Sequence, residues 1–161
     1  IVASLVGSEM CIRDSFQSVL QTNLVSAFLA LKTAGKAMLK LGQGRMVFTS
    51  SVAGSYGLTN HEAIAAAKGG IEAMVRSAAS TYAGRGLRVN AVAPGLTETR
   101  LGATVLRSDA IREASVGMIP LKRINEPEEI AQSMHWLLTD APDNLTGQII
   151  HLDGGMSALR G

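Results

Sequence analysis

Several things are scarce or missing in this chain, and each absence closes off a class of function. Cys11 is the only cysteine, so no internal disulfide can form, and a reducing, cytoplasmic setting is expected. The three histidines, His61, His135 and His151, are scattered without ligand spacing, so no metal site is expected. The formal charge is only +2 and no Lys/Arg cluster stands out, so neither nucleic acid nor a membrane surface is an expected partner. No apolar run approaches the roughly 20 residues that a membrane-spanning helix needs. G-x-G-x-x-G is missing: Gly84-Arg85-Gly86 lacks the third glycine and precedes an apolar stretch instead of following one. No G-x-x-x-x-G-K-[ST] or G-x-S-x-G occurs, which excludes a P-loop and argues against an α/β-hydrolase nucleophile.

What is present fits one packed α/β domain: 161 residues, 47% of them apolar, with 17 glycines. The chain is organised around Thr49–Lys68. An apolar strand, Arg45–Thr49, ends in Ser50-Ser51, and after a Gly-rich loop a helix begins that carries Lys68. Thr59-Asn60-His61-Glu62 reads as a capping box at its start. Open α/β sheets bind ligands beyond the carboxyl ends of their strands, so Ser51 and Lys68 are expected to face one crevice.

In order, apolar residues at helical period predict a helix from Phe16 to about Leu41, with Asn23 beside the apolar stripe. On spacing alone Asn23 is a helix-distorting or core hydrogen-bonding amide. The helix from about Asn60 to Tyr82 carries Gly69-Gly70, a small-residue face suited to close helix packing. Leu87–Ala93 is a second buried strand, ended by Pro94-Gly95, with Thr97 and Thr99 directly after it. Leu101–Met118 is either a lid or a short helical excursion. Pro127 with Glu128 and Glu129 opens a last helix to about Thr139, and Leu145–Leu152 makes a third strand. Strands alternating with helices imply a parallel sheet.

Residues 1–15 do not belong with this pattern. Leu5–Ser15, LVGSEMCIRDS, resembles a translated transposon-type sequencing adapter, so the native chain is expected to begin near Phe16.

TNLVSAF around Asn23, MVFTSSVAG, AAAKGG, RVNAVAPGLTET, PEEIA and TGQIIHLDGG resemble the short-chain dehydrogenase/reductase family, in its order and at its spacing across Phe16–Met156. The resemblance implies a partial Rossmann-like, doubly wound parallel sheet. Its last three strands would lie within residues 16–161, and the first four strands with their TGxxxGxG phosphate loop upstream. It implies NAD or NADP, hydride transfer to or from a small-molecule carbonyl or alcohol carbon, and a homo-dimer or homo-tetramer at full length. The family's serine falls on Ser51, which would orient the substrate oxygen. Its lysine falls on Lys68, which would hold the nicotinamide ribose. Its asparagine falls on Asn23, which would anchor a relay water and so replaces the structural reading. Pro94, Gly95, Thr97 and Thr99 would contact the cofactor.

One essential part departs from the family. Its tyrosine stands four residues before the lysine, and that position is Ile64. Spacing by four lets an ammonium stabilise a phenolate, whereas isoleucine has no proton to give. Tyr56 and Tyr82 have no lysine at the fourth position beyond them. In one account His61 is the surrogate acid: it lies one turn before Ile64 and seven residues before Lys68, the tyrosine spacing of the related enoyl-reductase branch. Histidine also titrates near neutrality. In the other account the protein keeps the cofactor pocket as an inactive binding or partner subunit. The retained Asn23, Ser51, Lys68 and Thr99 favour an enzyme.

Overall fold

The computed structural model describes residues 9–100, 102, 106 and 108–159. Three strands, β1 (Gly44–Thr49), β2 (Leu87–Pro94) and β3 (Ile149–Leu152), form a parallel sheet in the order β1-β2-β3. The central strand is buried on both faces, as parallel strands between helical layers must be: Leu87, Val89, Ala91, Val92 and Ala93 are all 0% exposed.

The longer α-helices among the described residues are α1 (Glu9–Leu20), α2 (Ser26–Leu41), α3 (Glu62–Tyr82), α4 (Asp109–Gly117) and α5 (Pro127–Thr139). Because strand side chains alternate, β1 feeds two cores. Met46 and Phe48 join Leu31 of α2, Ile71 and Val75 of α3, and Val89 on one face. Val47 turns to the other, against a cluster built on Leu137 of α5 with Val92 and Ala141. The result is a doubly wound α/β sandwich, the class expected from the alternation of elements.

The first helical stretch begins earlier than expected, at Glu9, and is not regular. Between α1 and α2 lies a π-helical turn, Gln21–Val25, in which the Ser26 N–H reaches back to the Gln21 carbonyl. Asn23 sits in it, its Nδ2 donating to the Val19 carbonyl at 3.1 Å. That side chain competes for the carbonyl one turn back, the ordinary way an asparagine disturbs a helix. The small-residue face of α3 packs closely: an added Cβ on Gly70 would come within 2.8 Å of Leu24, and one on Gly69 within 3.1 Å of the Gly54 carbonyl oxygen.

Two local expectations are corrected. The capping box at Thr59–Glu62 does not form: α3 starts at Glu62, its N-cap is His61, and no side chain caps it. The left-handed Asn60, at φ 61°, turns the chain there, which moves Thr59 out of capping position. The third strand is shorter than Leu145–Leu152. Buried Asn90 donates to the Leu145 carbonyl and accepts from the Gln148 N–H, each at 3.0 Å, and Gly147 turns at φ 72°. Residues 145–148 therefore wrap around one asparagine side chain; the Gly147 N–H and the Gln148 carbonyl still bond Val89 and Ala91 of β2, but regular strand begins only at Ile149. Of the lid stretch, residues 109–117 form α4, while Leu101 and Val105 lie outside the described residues.

Candidate functional site

The site is built where β1 ends. Ser51 is extended (φ −164°, ψ 156°), and its Oγ accepts from the Ala53 N–H at 3.2 Å, capping a short 3-10 turn, Val52–Gly54. A hydroxyl that accepts in this way keeps its own proton to donate elsewhere. His61 stands at the entrance of α3 with Nδ1 2.7 Å from the Thr59 carbonyl oxygen. A carbonyl can only accept, so Nδ1 carries a hydrogen and Nε2 is the nitrogen left for chemistry.

Ser51, His61 and Ile64 line one cavity of about 410 Å³ together with Gly95, Thr97 and Thr99. Leu58, Met118, Ile119 and Met156 are part of its apolar wall. Gly95 is held to a bare backbone by the end of β3, since a Cβ there would lie 2.9 Å from the Asp153 Cα. The Thr97 hydroxyl donates to the Gly95 carbonyl at 3.0 Å, which leaves its lone pairs free. The Thr99 hydroxyl accepts from the Gly102 N–H at 3.0 Å, which leaves its proton free. Pro94 is the last residue of β2, paired with Leu152, and is not in the cavity wall.

Lys68 and Asn23 are not in that wall either. Lys68 is half-buried two turns along α3 from His61, and its Nζ donates to the Thr49 carbonyl at 2.9 Å. Burial holds its pKa below the ordinary lysine value. The ammonium and the Ser51 hydroxyl thus meet the same strand tip two residues apart, the lysine on a backbone oxygen and the serine towards the cavity.

Met156, Ile119 and Leu58 leave no signal in the sequence, because isolated apolar residues in loops carry no period. The contact between Ser50 and Glu72 is not legible in the sequence either. Glu72 did leave a signal, a lone carboxylate next to Ile71 on the apolar face of α3, four residues beyond Lys68.

Asp153 closes the floor behind Gly95. It is 5% exposed and accepts from the N–H groups of Gly155 at 2.9 Å and Ser157 at 3.0 Å. Burial pushes its pKa up, but the hydrogen bonds from Ser157 and Gly155 outweigh it and hold the carboxyl below its ordinary value. The unfolded chain therefore binds this proton first. The resulting stability is present above the ordinary carboxylate range and is lost as pH falls through the lower folded value. Asp153→Asn is expected to lower stability by about 1–3 kcal/mol at pH 7 and to flatten the acid limb of Tm against pH. An unchanged acid limb would remove Asp153 as its source.

A largely apolar cavity with a few hydroxyls at the carboxyl edge of a parallel sheet, with helices on both faces, defines a doubly wound α/β protein whose candidate site lies at the strand tips. The family model described as enoyl-(acyl carrier protein) reductase matches residues 7–157. The chain belongs to the short-chain dehydrogenase/reductase family of oxidoreductases, for which NAD or NADP is the fitting cofactor. It is 38% identical over 149 residues to 2-(S)-hydroxypropyl-CoM dehydrogenase 3 of Xanthobacter autotrophicus, covering 90% of this chain and 58% of that one. It is also 38% identical over 143 residues to a 3-oxoacyl-[acyl-carrier-protein] reductase of Thermotoga maritima, covering 89% and 57%. A Beutenbergia cavernae protein whose crystal structure holds NADP at low occupancy superposes with a TM-score of 0.86 at 35% identity, covering 89% of this chain and 58% of that one. Levodione reductase superposes with a TM-score of 0.83 at 35% identity, covering 90% and 58%. The chain thus spans less than two thirds of the length of the relatives it matches. No described helix is long and apolar enough to cross a membrane.

Proposed function

We propose that residues 16–161 are the C-terminal part of one NAD(P)-binding Rossmann-type domain, and that the whole protein is an oxidoreductase in which His61 replaces the missing tyrosine as proton donor. The observation that carries this is the common cavity of Ser51, His61 and Ile64. The free edge of β1, which pairs only with β2 among the described residues, fits an upstream strand. Residues 1–15 stay proposed as non-native, although α1 runs through Ser15 without a break.

The residues present fit a nicotinamide dinucleotide. Among the described residues the Lys68 ammonium uses one of its three donor hydrogens, on a carbonyl, and the Thr99 hydroxyl proton has no acceptor. Lys68 would hold the nicotinamide ribose, while Gly95, Thr97 and Thr99 would meet the carboxamide and phosphates. Pro94 would shape that turn, and Asn23 would anchor a water behind Lys68. The dinucleotide, when bound, supplies the hydride for reduction or takes it in oxidation. Ser51 donates a hydrogen bond to the substrate oxygen, keeping its proton, and so orients it. In reduction, the imidazolium of His61 gives the Nε2 proton to that oxygen and is left neutral, with Nδ1–H still on Thr59. The apolar wall excludes water from the carbonyl or alcohol carbon.

Ile64 in the same wall supports a second reading, an inactive cofactor-binding subunit. Steady-state assays of the full-length protein over a carbonyl and alcohol panel separate the two. Substrate-dependent consumption of NADH or NADPH is expected; binding without consumption across the panel would establish the second reading instead. The protein is further proposed to be cytoplasmic and a homo-dimer or homo-tetramer. Phe28 and Leu29, 53% and 49% exposed on α2, suit such a contact.

A further inference from the structure

Behind the cavity lies a buried polar contact that the proposed mechanism does not use. Ser50, 2% exposed, points away from the cavity into the body of the protein, and its Oγ lies 2.8 Å from Oε1 of Glu72, itself 5% exposed. The same hydroxyl is 3.2 Å from the Lys68 carbonyl oxygen. Arg76 stands 3.9 Å from the other carboxylate oxygen but is more than half exposed, so it contributes little to holding Glu72. Gly54 gives the pair its room: a Cβ there would lie 2.8 Å from Glu72 Oε1, 2.9 Å from Ser50 Oγ and 3.0 Å from the Lys68 carbonyl carbon.

Three consecutive residues of the strand tip therefore do three different things. Thr49 offers its carbonyl to the Lys68 ammonium. Ser50 turns inward and ties the α3 turn of Lys68 and Glu72 to the strand. Ser51 faces the cavity. A buried carboxylate is costly unless hydrogen-bonded, and a hydrophobic pair would pack this turn without that penalty. What the polar pair adds is direction, since a hydrogen bond fixes the distance between strand tip and helix and apolar packing lets it slide.

We propose that Glu72, acting through Ser50, is a positioning residue that sets Lys68 against Ser51. The functional consequence rests on the oxidoreductase reading above; the positioning itself does not. The test is labelling of the full-length protein with an amine-reactive succinimidyl ester, with Lys68 modification measured by mass spectrometry relative to exposed Lys36. Glu72→Ala and Ser50→Ala are each expected to raise relative Lys68 labelling about fivefold, the factor one net hydrogen bond supplies. Glu72→Gln keeps an acceptor oxygen for the Ser50 hydroxyl and should stay near wild type. Leu137→Ala, a cavity in the opposite core, should lower Tm without changing relative Lys68 labelling.

If Glu72→Ala does not fold, Ser50→Ala carries the test alone. Wild-type labelling in the folded alanine variants, or an equal rise in Leu137→Ala, overturns the proposal. In an active protein the same variants should lower kcat with little change in substrate KM. A protein that shows the labelling pattern but no turnover keeps the positioning role and loses the oxidoreductase reading.

Discussion

His61→Ala in the full-length protein is expected to lower kcat by about 10²–10⁴-fold, the contribution of a positioned general acid, while dinucleotide affinity changes by less than about twofold. The two effects separate because of where the groups stand. His61 is in the cavity wall with Ser51, whereas the proposed ribose contact, Lys68, is two turns further along α3 on the Thr49 carbonyl. Removing the imidazole takes away the Nε2 proton and leaves that contact alone. Ile64→Tyr sharpens the test, since a phenol at 64 has Lys68 at the fourth position on the same helix face. Placed in the His61→Ala background, it is expected to recover most of the lost turnover. Undiminished kcat in His61→Ala would remove His61 from the mechanism. Absent activity in the parent with turnover gained in Ile64→Tyr would show an inactive site that lacked only its acid.

The second large effect is on stability. Gly86→Ala is expected to cost roughly 2–5 kcal/mol, a left-handed penalty of about 1–2 kcal/mol plus an overpacking term of about 1–3 kcal/mol. Gly86 stands at φ 86°, and an added Cβ would overlap the Gly42 carbonyl oxygen, which is backbone and cannot rotate aside. Gly42, itself at φ 70°, ends α2, and the Gly44 N–H donates to the Gly86 carbonyl at 3.2 Å, so this crossing sets where β1 and β2 begin to pair. Against a typical total stability of about 5–15 kcal/mol the loss is large. Urea or thermal unfolding measures it. Gly84→Ala is the control: nothing lies within 4 Å of its Cβ position and its φ is not in the left-handed region, so a change within about 0.5 kcal/mol is expected. Equal effects at the two positions would show that the Gly42–Gly86 crossing is not the reason.

Much of this protein was legible in order along the chain. The two longer strands, α3, α5 and the end of α2 follow from apolar period and from glycine and proline, which act within a few residues of themselves. Ser51 at a strand tip, Lys68 on the next helix and the isoleucine at 64 are also local facts, counted directly on the sequence. The distortion at Asn23 belongs with them, because a side-chain amide competing for the carbonyl one turn back is a short-range effect. Other features depend on residues far apart in the chain. β3 is shortened by Asn90, more than fifty residues before it, and Gly95 must be glycine because Asp153 arrives beneath it. Thr59 loses its cap because the chain turns at Asn60 to bring His61 into a cavity with Ser51 and Thr97. Ser50 and Glu72 are ordinary residues until parallel pairing and helix docking bury them against each other. Local hydrogen bonding and hydrophobic period are written in the sequence; which buried polar groups find one another is decided only when the layers close.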